Sequence, residues 1–248
     1  MLHSLRVLGG GILDAVYPPR CLACSAATDA ARGLCPACWA DTHFIAGTTC
    51  RKCGVPLVGD AGIEDLCEGC VRHPPAWDRG AAAFVYAGAG RRMVLALKHG
   101  DRLDMVRPLA AWMARAAGPL LAEADLVAPV PLHWRRLVRR RYNQSAELAR
   151  RLGRDAGRAV LPDLLTRHRA TSPQAGGRDS RALNQAGAFV VTPRHTAALA
   201  GRRVLLVDDV LTSGATLSAC ADTLRAGGAA GVDVLALARV AFDDSLGL

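Results

Sequence analysis

Val204-Leu205-Leu206-Val207-Asp208-Asp209-Val210-Leu211-Thr212-Ser213-Gly214-Ala215-Thr216-Leu217 decides how this chain folds. Four apolar residues in succession, Val204 to Val207, are what a parallel strand covered on both faces requires, since neither side of it meets water. The strand is expected to stop at Asp208 and Asp209. In open α/β sheets, ligands sit beyond the carboxyl ends of the strands, which is where these two acids fall. Thr212, Ser213, Gly214, Ala215 and Thr216 follow. Their small side chains leave backbone N–H groups unobstructed, and their hydroxyls add donors. A helix predicted from about Ala215 to Ala226 then presents its N-terminus, a ready site for phosphate. An apolar strand ending in acids also suits the metal-binding strand of an NTPase, but no G-x-x-x-x-G-K-[ST] loop occurs upstream, which removes that class.

Working outward, strands are expected at Ala81 to Tyr86, Leu126 to Pro131 and Val232 to Val240, and Ala188 to Val191 returns the chain to the fold. Between them, helices are predicted over Gly90 to Lys98, with Gly100 as a left-handed cap, and through Val106, Leu109, Ala110, Met113 and Ala117, which recur at helical spacing. Strands alternating with helices make residues 77–248 an α/β domain with a parallel sheet flanked by helices. Cys220 falls on the apolar face of its helix and reads as core. His99 reads as a surface histidine. Residues 166–187 hold Gly, Ser and Arg with few large apolar side chains; a loop of that length is expected to be a mobile lid.

Residues 1–76 form a different kind of unit. Eight of the nine cysteines stand in four C-x-x-C pairs, Cys21/Cys24, Cys35/Cys38, Cys50/Cys53 and Cys67/Cys70, with 10, 11 and 13 residues between successive pairs. Two such knuckles complete a tetrahedral four-cysteine site, a closed structural Zn2+ with no open position for catalysis. The spacing admits both sequential pairing, first with second and third with fourth, and a cross-braced arrangement. Met1 to Val16 makes a poor signal peptide and a fair short amphipathic helix, so thiolates in a reducing compartment are favoured over a disulfide scaffold. Metal binding on the order of 10 kcal/mol per site would let a module with so few apolar residues fold without another core.

The formal charge is +9, from 31 basic and 22 acidic side chains. It is unevenly placed: residues 1–80 carry 7 basic and 8 acidic groups, residues 81–248 carry 24 and 14. Two zinc-loaded sites would bring the total to about +5. Lys52 and Lys98 are the only lysines, so the basic surface is guanidinium, a planar fork that grips phosphate. Arg135, Arg136, Arg139, Arg140 and Arg141 run directly into Tyr142, Asn143 and Gln144. Arginines beside one aromatic suit single-stranded nucleic acid, with the ring stacked on a base; a solvated helix face has the same composition. No run of 18 apolar residues is present to span a membrane.

The run from Val204 to Thr216 resembles the phosphoribosyl diphosphate (PRPP) signature of the type I phosphoribosyltransferases, two acids followed by a Thr/Ser-Gly-x-Thr loop. That resemblance implies that Asp208 and Asp209 hold the ribose hydroxyls, that Thr212, Ser213, Gly214, Ala215 and Thr216 wrap the 5'-phosphate, and that Mg2+ accompanies PRPP. Thr212 stands where purine-salvage relatives carry a carboxylate base. With Tyr17 to Cys24 (Y-P-P-R-C-L-A-C), the further knuckles and this loop, the whole chain is similar to the ComF family, the competence protein F group. The family resemblance implies a double zinc ribbon in front of a phosphoribosyltransferase-like domain. Lys98 and Gly100 match a Lys-x-x-Gly-like stretch of the family, with the spacing one residue shorter here, and Lys98 is implied as a pyrophosphate or DNA contact; a lysine set against its helix dipole is the other reading. Tyr142, Asn143 and Gln144 match an Arg-Gly-Phe-Asn-Gln element, in which Arg141 replaces the glycine, and Arg169 and Arg181 lie in a polar pattern shared with relatives. These are implied nucleic-acid or pyrophosphate contacts.

Three functions follow from the resemblance. The first is a PRPP-binding protein of natural competence, handling incoming single-stranded DNA in the cytoplasm. The second is an active phosphoribosyltransferase with an unknown acceptor. The third is a zinc-ribbon adaptor for a competence helicase or uptake protein.

Overall fold

The structure, a computed structural model, describes residues 19–29, 32–57, 65–99, 102–132, 137–138, 142–168 and 187–241. In chain order the elements are α1 (Pro36–Ala40), α2 (Glu68–Arg72), β1 (Gly80–Val85), α3 (Gly88–His99), α4 (Val106–Ala117), α5 (Pro119–Glu123) and β2 (Leu126–Pro129). Then come α6 (Gln144–Ala156), β3 (Ala159–Val160), β4 (Leu165–Arg167), β5 (Phe189–Val191), α7 (Thr196–Leu199), β6 (Arg203–Leu211), α8 (Ala215–Ala226) and β7 (Gly231–Arg239).

Five strands form one parallel sheet in the order β1-β7-β6-β2-β3. The central strands carry the apolar runs, because only there are both faces covered. All nine residues of β7 are buried. Its one acid, Asp233, is tolerated because Arg79 grips both carboxylate oxygens, at 3.1 and 2.8 Å, and Arg203 adds a contact at 3.3 Å. Side chains alternate along β6: Leu205 and Val207 enter a core layer with Met93 and Leu97 of α3, Leu109 and Met113 of α4 and Leu148 and Leu152 of α6. Val204 and Leu206 enter the opposite layer with Leu217, Cys220 and Leu224 of α8. Cys220 is thus core, as expected.

Two expectations need correction, and one segment takes a place the sequence left open. The key strand does not stop at its acids: β6 continues in register with β7 to Leu211↔Arg239, because β7 supplies ladder partners at and beyond them, Asp208↔Ala236 and Val210↔Ala238. The segment after the polar loop returns to the fold outside the main sheet, where β5 pairs antiparallel with β4 over Leu165↔Val191 to Arg167↔Phe189. The cysteine module, expected to have no core but metal, shares both layers of the sheet. Cys21, Leu22, Leu34 and Cys38 pack in the α3–α4–α6 layer, and Cys50, Cys53, Val55 and Cys70 in the α8 layer.

The module straddles β1, which would otherwise be a bare edge strand open to wrong pairing. Residues 43–45, between the two halves of the module, lie antiparallel against it: Ile45 N donates to Ala83 O at 3.0 Å and Val85 N to His43 O at 2.9 Å. Phe44 fills the junction, edge-on to Trp112 with ring centroids 5.2 Å apart. The N-terminal helix, the Gly100 cap and the lid, apart from residues 166–168 and 187, lie outside the described residues.

Candidate functional site

β2 ends where Pro129 pairs with Val207, so β6 runs on with a neighbour on one side only. Asp208 and Asp209 sit at that step. Asp209 forms an ion pair with Lys98 at 2.8 Å, both side chains being less than a fifth exposed. Asp208 accepts from Ser145 Oγ at 3.1 Å and from the Asp209 N–H at 2.8 Å. Burial, then the negative charge of Asp209, push the Asp208 carboxyl up to about 7, against the smaller pull of Lys98 and Ser145.

The partners of the acids arrive on two helices. Lys98 closes α3 and Ser145 opens α6, and the residues before Ser145 lock those ends together. Asn143 caps α6 by accepting from Ser145 N at 3.1 Å and donates to Val130 O at 3.0 Å. Gln144, wholly buried, donates to Lys98 O at 3.3 Å, and the Tyr142 hydroxyl donates to Leu97 O. Three residues read from sequence as nucleic-acid or pyrophosphate contacts thus bond to carbonyls of the fold; Gln144 is buried, while Tyr142 and Asn143 keep part of their surface. Arg139, Arg140, Arg141, Arg169 and Arg181 lie outside the described residues. His99 is exposed.

Beyond Leu211 the chain turns through Thr212, Ser213 and Gly214 into α8. Gly214 has φ +81°, and a Cβ there would come within 2.6 Å of the Trp77 ring, so only glycine fits. The turn leaves the first N–H groups of α8, at Ala215, Thr216 and Leu217, without helical acceptors, aimed where an anion would sit. Arg239, 5% exposed, supports the turn from beneath by donating to Leu211 O at 3.1 Å and Thr212 O at 2.9 Å. The structure therefore brings Lys98, Asp208, Asp209 and Thr212 to Thr216 to one end of the sheet. Ser145, Trp77 and Arg239 were missed in the sequence. Ser145 follows a recognisable helix cap, whereas the other two act across long sequence separations.

The cysteines form two groups, Cys21-Cys24-Cys35-Cys38 and Cys50-Cys53-Cys67-Cys70, each with its sulfurs within 4.8 Å of one another. Pairing is sequential. Sulfurs of successive knuckles are 3.8 Å apart at Cys24/Cys35 and 3.7 Å at Cys53/Cys67. Four 2.3 Å zinc bonds in a tetrahedron put sulfurs about 3.8 Å apart, and a disulfide would put them at about 2 Å, so the cradle fits Zn2+. Burial pushes the Cys38 thiol up to about 12, whereas at Cys21 backbone N–H groups of Cys35, Cys24 and Ala23 outweigh burial and bring the thiol to about 6. Arg92 reaches Cys38 Sγ at 3.6 Å and Asp41 at 2.9 Å. A cavity of about 440 Å³ lies between the second cysteine group and the turn, lined among others by Val55, Leu57, Trp77, Thr212, Ser213 and Arg239.

Comparison with known proteins supports both halves. Residues 12–72 match the double zinc ribbon domain and residues 144–243 the phosphoribosyl transferase domain. The chain is 31% identical over 215 residues to DNA utilization protein YhgH of Escherichia coli K12, covering 84% of this chain and 90% of that protein. It is 34% identical to the protein of that name from Salmonella typhi (77% and 83% covered) and 29% identical to competence protein F of Haemophilus influenzae (83% and 96% covered).

Proposed function

Because the chain belongs to the ComF family, we propose that it binds PRPP at the end of β6 and uses that pocket in natural competence, handling incoming single-stranded DNA in the cytoplasm. The division into an N-terminal helix and zinc-ribbon module (1–76) and a phosphoribosyltransferase-like domain (77–248) is part of this reading. It rests on one observation above all: a carboxylate pair, a lysine and an anion-receiving helix start converge at one sheet end. Asp208 and Asp209 would accept the ribose hydroxyl hydrogens, the amides of the 212–216 turn would hold the 5'-phosphate, and Lys98, leaving Asp209, would meet the pyrophosphate. Mg2+, when bound with PRPP, neutralises the pyrophosphate charge. No helix among the described residues is long and apolar enough to cross a membrane.

Calorimetric titration of the zinc-loaded chain with PRPP and Mg2+ tests this. Micromolar binding is expected, lost in the Asp208→Asn/Asp209→Asn double variant and strengthening as pH rises through about 7, where Asp208 ionises. No binding by the wild type would sink the proposal and make single-stranded DNA the next ligand to titrate.

A second reading, phosphoribosyl transfer to an acceptor, is favoured by the match of residues 144–243 to the phosphoribosyl transferase domain. Such chemistry depends on positioning and charge rather than on a protein nucleophile. Pyrophosphate release from PRPP that needs an added acceptor would establish it, and release indifferent to any acceptor would count against it.

A further inference from the structure

The second cysteine group is joined to the phosphate turn by two struts. Lys52 lies inside the Cys50–Cys53 knuckle, and its carbonyl accepts the Trp77 indole N–H at 2.5 Å, while its ammonium donates to Trp77 O at 2.9 Å. The knuckle is pinned further by Gly80 N donating to Arg51 O at 2.8 Å. The indole so held lies against Gly214, closer than any side chain could stand, and Ala76 N reaches Ser218 Oγ of α8 at 3.5 Å. Arg239 is the second strut. Its buried guanidinium holds the carbonyls of Leu211 and Thr212 and lines one cavity with Cys53, Cys67 and Cys70. A zinc ion on four thiolates carries a net charge of about −2, so the loaded site attracts the cation that supports the turn. The first cysteine group has its own arginine, Arg92, but that residue belongs to α3 and touches Asp41.

We propose that the second cysteine site positions the phosphate turn, with Trp77 and Arg239 as positioning residues, so that residues 211–216 hold their anion-binding shape only when that site carries zinc. This deepens the phosphate-turn reading and rests on it. The zinc acts at no reacting atom: it fixes the knuckle that fixes Trp77, and it supplies the charge opposite Arg239. A ligand that needs the turn preorganised then gains affinity from a metal it never meets.

The full-length, zinc-loaded chain is compared with Arg239→Met, Arg239→Lys, Cys67→Ser and Cys24→Ser by zinc content, amide hydrogen exchange of residues 211–217 and PRPP calorimetry. Arg239→Met is expected to keep both zinc ions yet speed exchange in the turn and weaken PRPP by about tenfold each, with Arg239→Lys recovering part of both. Cys67→Ser is expected to lose one zinc and reproduce the fast exchange, whereas Cys24→Ser loses the other zinc and leaves the turn slow. Unchanged turn exchange in both Arg239→Met and Cys67→Ser overturns the proposal, as does equal acceleration of the turn in a Cys24→Ser chain whose β6 and β7 amides stay protected; if those amides also lose protection the variant has unfolded and Arg239→Met decides. Exchange is read without ligand, so a wild type that fails to bind PRPP removes the PRPP reading while the coupling is still decided.

Discussion

The two sides of the β6 terminus are built by different physics. On one side Gly214, Trp77, Arg239 and the second cysteine group meet by close packing around a metal cradle. On the other, Asp208, Asp209, Lys98 and Ser145 meet through charges and hydrogen bonds at the ends of α3 and α6. A packed, metal-held support answers to volume and to zinc, and to pH through the thiolates that hold the metal. A carboxylate pair answers to protons and counter-charges, because each group's ionisation depends on its neighbour. A phosphate needs backbone amides held rigidly, and a ribose or pyrophosphate needs charge that can rearrange, so the division suits a ligand with both parts.

Zinc removal should break the packed side most severely. Each site contributes on the order of 10 kcal/mol of apparent binding free energy, comparable to the roughly 5–15 kcal/mol of a whole folded domain. Because the knuckles supply core to both layers of the sheet, exhaustive chelation should abolish the cooperative unfolding transition of the entire chain in a circular-dichroism melt. Melting of a cysteine module alone, with the sheet intact, would show that the shared layers do not couple them.

The charged side should show itself through pH. The folded value of Asp208 near 7 stands above its ordinary 3.8, so the folded chain holds that proton more tightly than the unfolded chain does. Its contribution is full below about pH 4 and is lost as pH rises towards 7. In the zinc-saturated chain Asp208→Asn should therefore exceed the wild type above pH 7 by on the order of 2–4 kcal/mol in urea unfolding, and the gap should narrow by about half as pH falls towards 5, where zinc is still held. A constant difference across that range would mean Asp208 is already ionised at low pH.

A steric pair sharpens the contrast. Gly214 and Gly47 both have positive φ, +81° and +75°, but Gly214 abuts Trp77 while nothing lies within 4 Å of a Cβ at Gly47. Alanine at Gly47 should cost about 1 kcal/mol, the backbone penalty alone; at Gly214 overpacking adds to it, for about 3 kcal/mol in all. Chemical denaturation of both variants measures the difference, and similar losses would show that Trp77 yields.

How much of this could be read from the sequence divides along similar lines. The helix predicted from Ala215 to Ala226 has those bounds, and Val204 to Val207 is buried as its composition required, because local pattern and tertiary environment agree there. The length of β6 was hidden: acids disfavour a strand, and only the ladder to β7 keeps Asp208 and Asp209 in one. Nearly equal gaps between knuckles left the zinc pairing open until the sulfurs were placed. The burial of the cysteine module was invisible because Leu22, Leu34 and Val55 are isolated apolar residues with no periodicity, and their partners lie far along the chain. Trp77 and Arg239 escaped for that reason too. The bonds of Tyr142 to Leu97 O and of Gln144 to Lys98 O were equally hidden, since a polar residue beside a basic run carries no mark of the carbonyl it will meet.

The smallest effect lies on the charged side and tests whether its geometry depends on a helix cap. Asn143 accepts from Ser145 N and donates to Val130 O, tying the start of α6 to the end of β2. Asn143→Ala should cost about 1 kcal/mol of stability, the usual loss of an N-cap, whereas Asn143→Ser, which can still accept at the helix start, should lose less than half of that. Ser145 would then be less firmly held against Asp208, so PRPP affinity should fall a few-fold in the alanine variant and less in the serine one. Stability lost without any change in affinity would show that Ser145 is placed by Gln144 and the packing of α6, and that the cap serves the helix alone.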